Sequence, residues 1–145
     1  MKNEIGDRNG QASCYKNLGI VYYSVGDYEK AKELQERALV ITKEIGDRHR
    51  EASCYTSLGN VYLSVGKYEK AREHHEKSHV ITKEVGDRTG EASCYANLET
   101  VYQSVGESEK AREHHEKALV ITKEIGDKNK EGSCYVNCVS ISWRT

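Results

Sequence analysis

An all-α solenoid of antiparallel helix pairs is the fold class this sequence predicts, and three observations predict it. The chain repeats at forty residues: Gly6, Gly46, Gly86 and Gly126 keep that step, as do Cys14, Cys54, Cys94, Cys134 and Tyr15, Tyr55, Tyr95, Tyr135. It has no proline and twelve glycines, mostly evenly spaced, so glycine alone punctuates its helices. Within each copy the apolar residues recur at three- and four-residue steps, the helical spacing. Units of this size cannot bury their apolar faces singly and do so by stacking.

The copies read as unit one over 4–43, unit two over 44–83, unit three over 84–123 and an incomplete fourth unit with a divergent tail over 124–145. Asp7, Asp47, Asp87 and Asp127 each follow a glycine and precede a helical run, which suits an N-cap. In the first helix of unit one, Ala12, Tyr15, Leu18, Tyr22 and Val25 form one apolar stripe. Gly26 closes that helix as a left-handed C-cap, and Asp27 caps the next. The second helix turns Tyr28, Ala31, Ala38 and Ile41 inward and ends near Gly46. Glu33 with Arg37, Glu73 with Lys77 and Glu113 with Lys117 are spaced as i,i+4 ion pairs on its outer side.

The totals exclude several classes. In 145 residues, 22 basic side chains nearly balance 23 acidic ones, so no charge excess points to nucleic acid or an anionic membrane. No apolar run approaches membrane-spanning length, the N-terminal residues are no signal peptide, and the cytoplasm is the expected compartment. No phosphate loop, nucleophile elbow or Cys–His catalytic spacing occurs, so neither a cofactor nor an enzymatic activity is expected.

Tyr15, Leu18-Gly19, Tyr22, Gly26-Asp27-Tyr28, Ala31 and Ala38 together resemble the tetratricopeptide repeat. The forty-residue step, the Gly-Asp-Arg link and Ser57–Asn60 ("SLGN") are similar to a narrower subgroup. That subgroup holds the Leu-Gly-Asn repeat G-protein-signalling modulators and the arrays called tetratricopeptide repeat protein 28-like. The resemblance implies a right-handed superhelix that binds partner proteins as a scaffold or adaptor. Unit three departs from the pattern: Glu99 stands where Gly19 and Gly59 stand, and Ser108 where Tyr28 and Tyr68 stand. A carboxylate at a position that wants no side chain is expected to loosen that helix pair. The chain also reads as a segment of a longer array, an alternative to an autonomous module.

"HEKSH", His75 to His79, fits the H-E-x-x-H pattern in which two histidines hold zinc and the glutamate activates water. The sister segments read "QERAL" from Gln35 and "HEKAL" from His115, so the match rests on His79 replacing Leu39 and Leu119. A zinc peptidase needs a third ligand and an open position, and no downstream acid stands at a recognised spacing. His79 therefore reads as a polar intrusion into a core row, and His79→Leu as modestly stabilising. The repeated cysteines are expected one helix-pair spacing apart, too far for disulfides, each a small buried hydrophobe. Cys138 is extra, in the tail.

The positions that differ between copies carry the functional signal. They are Lys16, Ile20 and Tyr23 in unit one, Thr56, Asn60 and Leu63 in unit two, and Ala96, Thr100 and Gln103 in unit three. The offsets i, i+4 and i+7 share one helical face, rotated from the core stripe. The resemblance implies that this face lines a concave groove for peptides, and that Asn60, closing Leu-Gly-Asn, bonds the backbone of an extended partner. Asn17 and Asn97 also match the family. Lys16 is the lone charge among the varied positions, which disfavours a clamp for chaperone C-termini; a short apolar–polar peptide is the expected ligand.

Overall fold

The computed structural model describes residues 2–142, with side chains described for residues 7–126 and for Lys128. Six helices follow one another: α1 (Lys2–Ser24), α2 (Tyr28–Ile45), α3 (Arg48–Ser64), α4 (Tyr68–Val85), α5 (Arg88–Ser104) and α6 (Ser108–Ser142). No strand occurs among the described residues. α1 packs on α2, α3 on α4 and α5 on α6, and the pairs join through α2 against α3 and α4 against α5. The architecture is an all-α helical-repeat solenoid.

The turns follow from glycine. Gly26, Gly66 and Gly106 take φ of 86°, 81° and 80°, and Gly46 and Gly86 take 73° and 74°, a region costly for a residue with a Cβ. At the first connection Gly26 N–H donates to Tyr23 O (3.1 Å) and Asp27 N–H to Tyr22 O (2.9 Å), satisfying carbonyls that the helix end orphans. Asp27, Asp47 and Asp87 then cap the following helices, accepting from Lys30, Arg50 and Gly90 N–H at 3.2, 3.1 and 2.9 Å. Lys67, in the place of Asp27, makes no side-chain cap. The arginine of each Gly-Asp-Arg link has its own use. Arg8 pairs with Glu44, Arg48 with Glu84 and Arg88 with Glu124, tying the two helices of every pair together.

Two of the expected caps are corrected. Asp7 lies within α1, and Asp127 lies within α6, which runs through Gly126 for 35 residues instead of ending there. Continuing the helix keeps each backbone group bonded locally, and a glycine inside it costs only about 1 kcal/mol. The expectation placed on Cys134 and Cys138 lies outside the described side chains.

Small residues let the helices close. Ala31, Ala71 and Ala111 are buried, and clusters form from Leu58, Tyr62, Ala71 and Val101, from Ala52, Tyr55 and Ile81, and from Leu98, Tyr102 and Ala111. The apolar stripe of unit one is only partly inside. Leu58 and Leu98 are 1% and 3% exposed, but Leu18 is 49% exposed. The same holds for cysteine: Cys54 and Cys94 are buried and Cys14 is exposed, contrary to expectation. Leu58 and Cys54 meet the preceding helix pair, whereas among the described residues nothing packs on that side of α1. Val25 is exposed in unit one, and Val65 and Val105 in its sisters, because these valines end the first helices at the turns. Tyr28, expected inward, is half-buried against Tyr23, ring centroids 5.3 Å apart.

The outer i,i+4 pairs are also corrected. Arg37, Lys77 and Lys117 lie over the rings of Tyr15, Tyr55 and Tyr95, at 5.9, 5.6 and 5.7 Å from the centroids, instead of meeting Glu33, Glu73 and Glu113. There their stems cover aromatic surface while the charge faces the ring.

One contact between paired helices decides how tightly each pair closes. Gln35, His75 and His115 occupy equivalent places on the second helices, opposite residues 19, 59 and 99. Gln35 and His75 are 1% and 0% exposed because Gly19 and Gly59 leave room for them. Opposite Glu99 the imidazole of His115 is turned out, its side chain 57% exposed, with Nδ1 3.0 Å from Glu99 Oε1. Unit three thus trades a buried imidazole for a partly exposed one in contact with a carboxylate. A Cβ on Gly59 would lie 2.6 Å from His75 Cε1 and Nε2. We expect Gly59→Ala to drive His75 outward, as Glu99 does His115, costing about 1–2 kcal/mol after the gain in helix propensity. Denaturant unfolding measures the loss, and an NMR titration should find the imidazole pKa rising toward its ordinary range.

Candidate functional site

The varied residues of α1 and α3 meet in two neighbouring clefts. A cavity of about 190 Å³ lies between α1 and α3, lined by Ile20, Tyr23, Gln35, Ser57, Asn60 and Val61 over Gly19. The Tyr23 hydroxyl bridges to Ser64 Oγ at 2.9 Å, joining the two helices beside it. Gln35 reaches the cavity from α2, its Nε2 donating to Lys16 O at 3.1 Å while Oε1 has no partner. The second cleft, about 320 Å³, runs from Lys16 and Ile20 past Thr56 to the start of α5. Its surface is rich in hydroxyls. Thr56 Oγ1 and Ser78 Oγ are 2.8 Å apart, and Cys94 Sγ donates to Ser78 Oγ at 3.4 Å. His49 Nδ1 and Asp87 Oδ2, 3.9 Å apart, stand at one end of this cleft.

Of the predicted site residues, the structure brings Lys16, Ile20, Tyr23, Thr56 and Asn60 to these clefts. Gln103 lines a separate cleft between α5 and α6 with Glu99, Arg112 and His115. Leu63 packs against the core cluster of Leu58, Tyr62, Ala71 and Val101. Thr100 Oγ1 donates back to Ala96 O at 3.2 Å, and Ala96 is exposed beside it. Asn17 is exposed and Asn97 half-buried, and neither lines the two clefts. Sequence reasoning missed Gln35 and Ser78 because they lie on the second helices, and His49 and Asp87 because they lie at helix starts, outside the i, i+4, i+7 face it followed. The signal for Gln35 was available: it faces Gly19, a side chain opposite a missing side chain.

The histidine motif is dispersed. His75 is wholly buried against Gly59 of α3, with neither ring nitrogen bonded, and burial pushes its pKa down to about 4, helped by the neighbouring His74. His79 belongs to the α4–α5 contact. Its ring meets Tyr95 at 4.6 Å, and Nε2 is 3.6 Å from Glu91 Oε2. Burial lowers its pKa and Glu91 opposes that shift. Glu76, the residue that would activate water, is held by Arg72 at 2.6 Å. No group of three or more His, Cys, Asp or Glu side chains gathers as a metal site among the described residues. His79 thus stands where Leu39 packs against the core clusters, with Nε2 buried and without a hydrogen bond, so His79→Leu is expected to stabilise modestly, read as a rise in melting temperature. Cys54 is likewise inert, its thiol pushed up to about 11 by burial.

The fold and its clefts define a class: a helical-repeat array whose first helices carry the variable surface. The tetratricopeptide repeat model matches residues 50–124, and a second model of the same description matches 11–51. The chain belongs to the tetratricopeptide repeat family. A search of curated proteins finds no match. Among solved structures, the TPR domain of Arabidopsis FLU is similar at 20% identity and TM-score 0.76, covering 81% of this chain and 98% of that one. BtubC from P. vanneervenii is similar at 24% identity and TM-score 0.75, over 79% of this chain and 48% of its own, so the chain spans about half its length. The second TPR of Spaghetti, bound to an HSP90 peptide, is similar at 20% identity and TM-score 0.65, over 82% and 98%. No described helix is long and apolar enough to cross a membrane.

Proposed function

We propose that this chain is a non-enzymatic protein-interaction scaffold that takes an extended segment of a partner protein along the face of α1, α3 and α5. One observation carries the reading. Residues that differ from copy to copy, Lys16, Ile20, Tyr23, Thr56 and Asn60, line adjoining clefts, while the shared residues Leu58, Tyr62 and Ala71 form core. Selection for a binding surface varies a face while leaving the scaffold repetitive. The peptide-bound Spaghetti domain, of the same fold, supports the choice of ligand class. In the finer form of the proposal the chain is akin to the Leu-Gly-Asn repeat modulators, works in the cytoplasm, and uses the Asn60 amide to bond the partner's backbone.

Affinity capture with quantitative mass spectrometry tests it. Asn60→Ala should weaken recovery of the bound partner at unchanged helicity, and the Lys16, Asn60 and Thr100 triple alanine variant should remove most of it. Glu33→Ala, an exposed change on α2, should leave capture intact. Undiminished capture by the triple variant overturns the proposal.

A further inference from the structure

The two ends of the array carry the two halves of a joint that the chain already makes inside itself. The flank of α2 that meets α3 includes residues 38–43, "ALVITK", and α6 repeats those six residues unchanged over 118–123. On the other side of the joint, α3 carries "ASCY" over 52–55, Leu58-Gly59 and Val61-Tyr62. α1 repeats each of these over 12–15, at Leu18-Gly19 and at Val21-Tyr22.

Inside the chain both halves are covered. Leu39 packs on the clusters of Tyr55 and Leu58, and Thr42 and Thr82 are buried. At the ends the same residues are bare. Val21 is 56% exposed, where Val61 and Val101 are 3% and 1% exposed. Leu119 and Thr122 are exposed, where Leu39 is half-buried and Thr42 is buried. α2 and α4 turn at Gly46 and Gly86 into the helix that covers them, but α6 runs on through Gly126. Among the described residues no helix returns to its flank.

The finer fit agrees. Gly90 lets α4 close on α5, since a Cβ there would lie 2.9 Å from Thr82 Cγ2. Gly10 keeps that opening at the end of the array, with nothing within 4 Å of it. Glu69 and Lys110 line one cleft between the second and third helix pairs. Glu109 and Lys30 hold the same repeat positions at the two ends, so opposite charges meet there.

We propose that α6 of one copy docks on α1 of the next, head to tail, reproducing between molecules the joint of α2 with α3. Leu119 settles beside Tyr15 and Leu18 of the next copy, and Thr122 against its Gly10 and Cys14. Within the chain, Thr82 Oγ1 already lies 3.9 Å from Cys94 Sγ in the equivalent place. The contact joins unlike faces, so a dimer keeps one bare end of each kind and growth continues into longer chains. Inside the molecule a two-residue turn holds the halves together at an effective concentration of about millimolar order. Separate copies must reach it by mass action and meet the entropic cost of association, so dilution parts them and leaves Leu18 open to water.

Sedimentation velocity of the full chain from about 10 μM to about 1 mM, the span that reaches that effective concentration, tests this. The mean mass should rise past that of a dimer. Leu18→Arg blocks the α1 end and Leu119→Arg the α6 end. Both side chains are half exposed, so the folded chain accommodates the change, which circular dichroism checks. Each variant alone should sediment as a monomer. Their equimolar mixture should form a dimer and stop there, because the ends that remain are the blocked ones. Should Leu18→Arg fail to fold, Val21→Arg blocks the same end. A parent that stays monomeric or stops at a dimer overturns the proposal. So do variants that associate as the parent does, and a mixture that stays monomeric, the result of a symmetric contact between like ends.

Discussion

Leu58→Ala should cost about 2–5 kcal/mol, while Leu18→Ala, the same substitution at the equivalent position one repeat earlier, should cost no more than about 1 kcal/mol. The two leucines stand at the same repeat position, each followed by glycine (Leu18-Gly19 and Leu58-Gly59), and differ in what covers them. Leu58 is 1% exposed, packed with Tyr62, Ala71 and Val101, so truncation leaves a cavity in a surround that cannot fully collapse. Leu18 is 49% exposed, and water already reaches the space its side chain would vacate. Urea unfolding of both variants checks this, read from the midpoints at constant m. Equal losses would mean that the face of α1 is covered in solution, contrary to the structure.

Acid should destabilise the protein through His75, and His75→Gln should remove that part of the loss. The folded state holds the imidazole neutral, with a pKa pushed down to about 4 from 6.5. Above pH 6.5 neither state binds the proton and the residue is silent. As pH falls from 6.5 toward 4 the unfolded chain takes up a proton that the folded chain refuses, so stability falls. Below about 4 both states are protonated and the decline from this residue ends. At about 1.36 kcal/mol per pKa unit the whole window is worth about 3 kcal/mol, and about 2 kcal/mol of it is lost by pH 5. Glutamine is the natural replacement, because Gln35 fills the equivalent place in unit one and bonds the carbonyl of Lys16. His75→Gln should therefore unfold with a flatter dependence between pH 7 and 5 than the parent. A parallel decline in both proteins would show that His75 is not held neutral. His79 titrates in the same direction, since burial also lowers its pKa, and it remains in both proteins.

Much of this fold was legible because it is written three times. The glycines that take positive φ and the aspartates that cap α2, α3 and α5 act through residues within four positions, so a linear reading finds them. The groove was half legible. Residues 16, 20, 23, 56 and 60 follow from helical spacing alone, but Gln35 enters the cavity from a different helix and no single-helix pattern shows it. Cys14 illustrates the opposite failure. Its repeat position predicts burial, and it is exposed because among the described residues no helix covers that side of α1.

Helix type, turn chemistry and repeat length belong to the chain as written, since each is settled by contacts between residues close in sequence. Three-dimensional packing alone assigned what the copies do differently: which leucine is core, which histidine stays neutral, and where α6 fails to turn. Near-identical local sequences acquire different energies when, among the described residues, a helix pair covers one copy and not the other, because burial is a property of the surroundings and not of the residue.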